Sequence, residues 1–193
     1  MKHALVSVTD KTGVADFARG LEKLGFEIIS TGGTFKVLRD ANVKAKSIEE
    51  VTGFPEILDG RVKTLHPKVH GGLLYRRDDN NHVNTIKEMD IRPIDLVCCN
   101  LYAFDKALEK GADLNEMIEN IDIGGPSMIR SAAKNFKDVL IVTEPQDYQN
   151  VLKAIENNAD DFMFRMNLAY KAYSKTAEYD TMISRYFEEQ LGK

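Results

Sequence analysis

Within its first forty residues the chain changes hydrophobic period three times, and that alternation limits the folds open to it. Ala4 to Val8 is an apolar run ending at Thr9 and Asp10, residues suited to capping a helix. Val14, Phe17, Ala18, Leu21 and Leu24 then recur at helical spacing until Gly25 stops the pattern. Phe26, Ile28 and Ile29 form a second strand candidate, followed by Ser30-Thr31-Gly32-Gly33-Thr34 and by a helical set of Val37, Leu38 and Ala41. The order strand, helix, strand, glycine loop, helix predicts a parallel sheet with helices on its faces.

The rest of the chain extends the theme less regularly. Ile48, Val51 and the breaker Gly53-Phe54-Pro55 predict a short helix and turn, and Gly60 to Pro67 reads as a loop. Ile94 to Cys99 is almost unbroken in apolarity, as a strand covered on both faces should be. Leu114, Met117 and Ile118 mark a helix that Ile121 to Pro126 interrupts; Met128 to Asn135 predicts the next one, then Val139 to Val142 a strand and Glu144-Pro145 a helix start. The last thirty residues predict helix, with Phe162, Met166, Tyr170, Tyr173, Ile183, Phe187 and Leu191 as its apolar stripes. No repeat or linker divides residues 1–193, so one α/β domain is expected, large enough at 193 residues for a substantial core.

Charge and cysteine usage narrow the function. A net charge of -4 provides no general footprint for nucleic acid, so any phosphate must be met by a few placed cations. No run approaches the roughly eighteen apolar residues of a membrane span, and the first residues turn polar too soon for a signal peptide. Cys98 and Cys99 are adjacent in an apolar run; they read as buried free thiols of a reducing, cytoplasmic protein, with a catalytic cysteine as the lesser reading.

Four polar segments can form a site where strands end and helices begin. Ser7 to Gly13 brings hydroxyls and Lys11, although Thr9 or Asp10 is also expected to cap a helix. Ser30 to Thr34 offers paired glycines whose N–H groups can face an anion at a helix start, or make a plain tight turn. Gly60 to Pro67 packs Arg61, Lys63 and Thr64 into four residues without interspersed acids, the pattern of an anion loop and not of a solvated face. His66 and His70 beside it share a helical spacing, but no nearby carboxylate completes a metal set. The fourth segment, Asp122 to Gly125, with Lys134 and Tyr102, contains an acid/base trio or else a capping Asp, a surface Lys and a core Tyr.

Together these motifs resemble the inosine monophosphate (IMP) cyclohydrolase domain of the bifunctional purine-biosynthesis protein. The matching segments are Ser7 to Gly13, Ser30 to Thr34, Gly53 to Glu56, Gly60 to Pro67, Cys99 to Tyr102, Asp122 to Gly125 and Ala132 to Asn135, in family order over nearly the whole chain. The resemblance implies a methylglyoxal-synthase-like α/β fold: a mainly parallel sheet flanked by helices on both faces, with a helical C-terminus. It implies ring closure of 5-formamidoimidazole-4-carboxamide ribotide (FAICAR) to IMP with loss of water, and no metal or other cofactor. By motif, Lys63, Tyr102, Asp122 and Lys134 match catalytic groups. Thr9, Lys11, Thr31, Gly33, Thr34, Arg61 and Thr64 match nucleotide and phosphate contacts, with Asn100, Gly124 and Gly125 near the base. In this reading Arg61 and Thr64 hold the phosphate while Lys63 polarises the formyl oxygen. Two departures stand out: Ala103 replaces a common proline after the Asn-Leu-Tyr triplet, and the chain ends where the family continues into a formyltransferase domain.

Formyl transfer is then expected from a separate AICAR formyltransferase, unless the sequence is an excised domain. A methylglyoxal-synthase-like lyase would need an acidic motif absent in that order, and a nucleotide-sensing module leaves Lys63, Tyr102, Asp122 and Lys134 without purpose. The aromatic C-terminal helices either pack on the sheet or form the seam of an expected homodimer; periodicity does not choose.

Overall fold

The computed structural model describes residues 1–101 and 104–192, except the side chains of 105 and 106. From the N-terminus come β1 (Lys2–Ser7), α1 (Val14–Lys23), β2 (Phe26–Ser30), α2 (Gly32–Asp40), β3 (Ala45–Ser47) and α3 (Ile48–Thr52). After a turn at Leu58–Gly60 follow α4 (Pro67–Leu74), α5 (Asn80–Glu88), β4 (Leu96–Cys99), α6 (Phe104–Glu109), α7 (Leu114–Glu119) and α8 (Gly124–Lys134). Then come β5 (Leu140–Val142), a turn at Pro145–Asp147, α9 (Tyr148–Glu156) and α10 (Phe162–Gln190).

The five strands lie in the order β3-β2-β1-β4-β5 and every pairing is parallel. The α/β, methylglyoxal-synthase-like fold expected from the sequence is therefore the fold observed. Parallel neighbours demand crossovers, and right-handed crossovers running outward from β1 in both directions put the helices on opposite faces. One layer joins α1 to α9, the other joins α8 to α4 and α10. Ala4, Leu5 and Val6 of the central strand are wholly excluded from solvent, as are Leu96 and Val97 beside them. The chain reverses its direction of travel between β1 and β4, so the crevice beyond their carboxyl ends is the topological switch point.

Three local expectations give way. Thr9 and Asp10 do not cap α1: its N-cap is Gly13 at φ 66°, and Asp10 Oδ1 instead accepts from the Thr12 amide (2.9 Å) and hydroxyl (2.6 Å). The helix after Gly124-Gly125 starts at those glycines, four residues ahead of the expected Met128. The anticipated stripe of α10 is largely its exposed face. Phe162, Met166, Tyr170, Tyr173, Phe187 and Leu191 face outward, while Leu168, Ala169, Ala172, Thr176 and Tyr179 are buried, because α10 lays its small residues against α8 and β5. No helix of the described residues is long and apolar enough to cross a membrane.

Candidate functional site

Beyond the carboxyl ends of β1, β2 and β4 lies a cavity of about 590 Å³. Its wall includes Thr9, Lys11, Thr31, Gly33, Thr34, Arg61, Lys63, Thr64, Asn100, Asp122, Gly124 and Gly125, which converge from five separated segments. Tyr102 lies outside the described residues.

One wall is the start of α2. Thr31 is its N-cap, extended at φ -129°, and makes no side-chain cap bond; Gly32 follows at φ 44°, a conformation glycine enters without strain. The first intrahelical bond runs from the Phe35 amide to the Thr31 carbonyl (3.0 Å), so the amides of Gly32, Gly33 and Thr34 have no acceptor within the helix. Two cations border this turn. A Cβ placed on Gly33 would lie 3.6 Å from Lys11 Cε, and one on Gly32 would lie 3.4 Å from Lys63 Nζ. Bare amides at a helix N-terminus beside two ammonium groups are the features that suit an anion such as a phosphate.

The opposite wall is the start of α8. Asp122 Oδ1 accepts the Gly125 amide at 3.0 Å. Burial pushes this carboxyl above the usual aspartate range, although the Gly125 and Gly124 amides pull the other way. The glycines are needed for space: a Cβ on Gly125 would overlap Asp122 Oδ2, and one on Gly124 would lie 2.7 Å from Thr64 Oγ1. Cys99, at the end of β4, faces the same carboxylate. Burial and that neighbouring charge raise its thiol far above the ordinary value, and burial lifts Cys98 to about 12. Neither thiol is a nucleophile near neutral pH.

Several predicted ligands turn out to be committed to the protein. Thr34 Oγ1 accepts the Val8 amide (3.0 Å) and donates to the Val8 carbonyl (2.9 Å), tying α2 to the end of β1. Asn100 Oδ1 accepts the amides of Thr9 (2.6 Å) and Asp10 (3.0 Å), and its Nδ2 donates to the Asp10 carbonyl (3.1 Å). Both side chains clamp site loops with the hydrogen bonds assigned to substrate. Thr31 Oγ1 shares a 2.7 Å bond with Ser7 Oγ. The histidines are engaged separately: His66 Nδ1 accepts the Lys68 amide (3.1 Å) as the cap of α4, and His70 Nδ1 pairs with Ser131 Oγ (3.0 Å).

Arg61, Lys63 and Thr64 face different parts of the cavity. Thr64 faces Gly124 and the Asp122 wall, whereas Lys63 leans on the Gly32 turn while its Nζ pairs with Glu56 Oε2 at 2.5 Å. Arg61 is clasped by Glu119 through its NH2 group and through Nε at 3.3 Å, which raises its pKa further. Lys134 does not join the cavity. It is exposed in the last turn of α8, nine residues beyond the amide that holds Asp122, or about 14 Å along the axis, too far for a lysine to span directly.

Sequence reasoning missed Glu56 and Glu119, the acidic partners of the site cations, and Tyr179. Glu56 ends the Gly53 to Glu56 motif, which drew attention without suggesting a partner. The Tyr179 hydroxyl accepts the Asp122 amide at 2.7 Å and donates to the Asn120 carbonyl at 3.3 Å; it falls outside the apolar stripes expected of the C-terminal helix, and no motif marks it.

Comparison with known proteins agrees with the fold. Residues 13–127 match the MGS-like domain model, and residues 132–193 match the AICARFT/IMPCHase bienzyme model. Curated relatives named bifunctional purine biosynthesis protein PurH include those of Clostridioides difficile, 54% identical over 99% of this chain and 38% of that protein, and of Lactobacillus acidophilus, 55% identical over 100% and 38%. The chain thus spans well under half the length of the curated relatives it matches. The crystal structure of ForH superposes with a TM-score of 0.85 at 36% identity, covering 97% of each chain.

Proposed function

We propose, for a chain that belongs to the MGS-like, AICARFT/IMPCHase bienzyme family, that it is an IMP cyclohydrolase closing FAICAR to IMP and water. The observation that carries this reading is a cavity with a cation-flanked glycine turn on one wall and the buried Asp122 carboxyl on the other. The two ends of a ribotide differ in the same way, one phosphate and one base bearing exchangeable N–H groups.

The phosphate rests on the amides of Gly32 and Gly33 with Lys11, and Arg61 joins it on exchanging Glu119 for the ligand. With both reacting groups on one ribotide the attack is intramolecular, and a fixed pose supplies much of the acceleration. The carboxamide nitrogen adds to the formyl carbon while Asp122 accepts its proton; burial, by raising the carboxyl's pKa, strengthens it as a base. Lys63, released from Glu56 and swung from the Gly32 turn toward the base half, neutralises charge growing on the formyl oxygen. That oxygen leaves as water with one proton from the carboxamide nitrogen and one from the formamido nitrogen, so the ring nitrogen that attacked keeps its second hydrogen and the reaction balances. Thr64 and the Gly124 amide border the base half, and Asn100 acts by shaping the loop that carries Thr9. Tyr102 is assigned to the same half by motif alone, and Lys134, exposed in the last turn of α8, is given no step in this proposal.

FAICAR must reach the site from a formyl transfer, and an AICAR formyltransferase activity is the proposed source. The exposed apolar face of α10, with Phe162, Met163 and Tyr170, is the proposed seam of a homodimer. Incubation with FAICAR while the ultraviolet spectrum is recorded tests the activity. Growth of hypoxanthine absorbance is expected; tight binding without spectral change would replace the enzyme reading with a nucleotide sensor.

A further inference from the structure

The base assigned above has to be aimed, and the residue that aims it lies on a distant helix. Asp122 is held at two points. Its carboxyl accepts the Gly125 amide at 3.0 Å, and its own amide donates to Tyr179 Oη at 2.7 Å. The same hydroxyl donates its proton to the Asn120 carbonyl at 3.3 Å, so one side chain clips both ends of the Asn120–Asp122 turn. Tyr179 comes from α10, fifty-seven residues further along the chain, and is only 2% exposed. Its ring is set edge-on to Phe104 at 6.3 Å and 81°, in a small cluster with Met117 and Tyr186 that packs under the site loop apart from the main core. A ring wedged in this way cannot carry its hydroxyl elsewhere without repacking the cluster.

We infer that Tyr179 is a positioning residue of the cavity, fixing the backbone turn from which the Asp122 carboxylate reaches the substrate. This rests on Asp122 being the base. Between its two anchors Asp122 retains only its own side-chain torsions, so loss of the hydroxyl frees the turn while the ring packing remains. A misplacement of about 1 Å at a reacting group is enough for a rate loss of roughly a hundredfold.

The test compares Tyr179→Phe, Asp122→Asn and the double variant in FAICAR turnover, with kcat expressed per IMP-binding site so that unfolded protein does not count. Tyr179→Phe is expected to lower kcat about 10- to 100-fold with KM within about twofold, and to add less than about twofold in the Asp122→Asn background. Unchanged kcat, a loss carried wholly by KM, or the same loss repeated on top of Asp122→Asn would overturn the inference while leaving Asp122 as base. Normal turnover by Asp122→Asn would remove the base itself, and this inference with it. Should Tyr179→Phe not fold, hydrogen exchange in the unaltered protein decides: a protected Asp122 amide supports the bond, and an unprotected one refutes it.

Discussion

Two helices begin with paired glycines at the carboxyl end of the sheet, α2 at Gly32-Gly33 and α8 at Gly124-Gly125, and they are used in opposite ways. The α2 start is left bare. Its N-cap makes no side-chain capping bond, its first amides have no acceptor in the helix, and Lys11 and Lys63 stand against it. The α8 start is already filled by an anion of the chain itself, because Asp122 folds back on the Gly125 amide. One device, a helix N-terminus with room for close approach, is thus open to a visiting anion on one side and holds a resident carboxylate on the other. The pair teaches that a glycine turn gives access, and that the neighbouring side chains decide what uses it.

The largest effect should come from emptying the resident side. Asp122→Asn keeps an acceptor for Gly125 and removes the base, so kcat is expected to fall about 10²- to 10⁴-fold with little change in KM. In the unaltered enzyme kcat should fall on acidification through a pKa above the ordinary aspartate range, since burial raises this carboxyl; a limb at or below that range would break the assignment. The same raised pKa means that the charged form opposes folding, and the stability Asp122 permits at low pH is lost as pH rises through its folded value. Asp122→Asn should therefore have the higher Tm at pH 7, with the advantage gone by about pH 3, as calorimetry can show.

Next come the glycines themselves. An added Cβ at Gly125 overlaps Asp122 Oδ2, whereas at Gly33 it meets Lys11 Cε in ordinary contact at 3.6 Å. Gly125→Ala should lower kcat by on the order of a hundredfold through displacement of the carboxyl, while Gly33→Ala should leave kcat within about threefold. Equal losses in steady-state assays would show that the two turns are not used differently. Lys11→Met should raise KM about tenfold, and lessen its dependence on salt, with kcat nearly intact, because an anion seat loses ground-state and transition-state binding alike. The smallest effect belongs to Glu119→Gln. The Arg61–Glu119 pair is exposed at both ends, with side-chain accessibilities of 63% and 61%. Its removal should shift KM by no more than about threefold, downward, as Arg61 is freed for phosphate.

The comparison also shows which parts could be seen in the sequence. β1, α1, β2 and α2 were legible because the apolar period changes sharply and Gly25 and Gly32 mark the joins. β3 was not: Ala45-Lys46-Ser47 has one apolar residue in three, and only pairing with β2 makes it a strand. α4 was obscured by Gly71-Gly72, where the second glycine lets Arg92's carbonyl approach the helix closely. Composition and motif together brought a dozen residues to one cavity, but residue type does not tell where a polar atom points. Thr34 and Asn100 carry the polar atoms a ligand would want and spend them on Val8, Thr9 and Asp10. Lys134 was placed beside Asp122 by motif order, and the rise of α8 sets it apart.

The strand order β3-β2-β1-β4-β5 has a consequence for how the molecule comes into being. β1, β2 and β3 are joined by short crossovers, while β4 must find β1 across almost ninety intervening residues. Contacts between near neighbours in the chain form sooner than those requiring closure of a long loop. A nascent chain therefore acquires its bare glycine turn early, and acquires Asp122 and its Tyr179 clip only once the second half has docked. Such an intermediate would capture a phosphate and be unable to transform it, so competence for chemistry reports completed assembly, and a bound ribotide bridging the two halves would slow their separation.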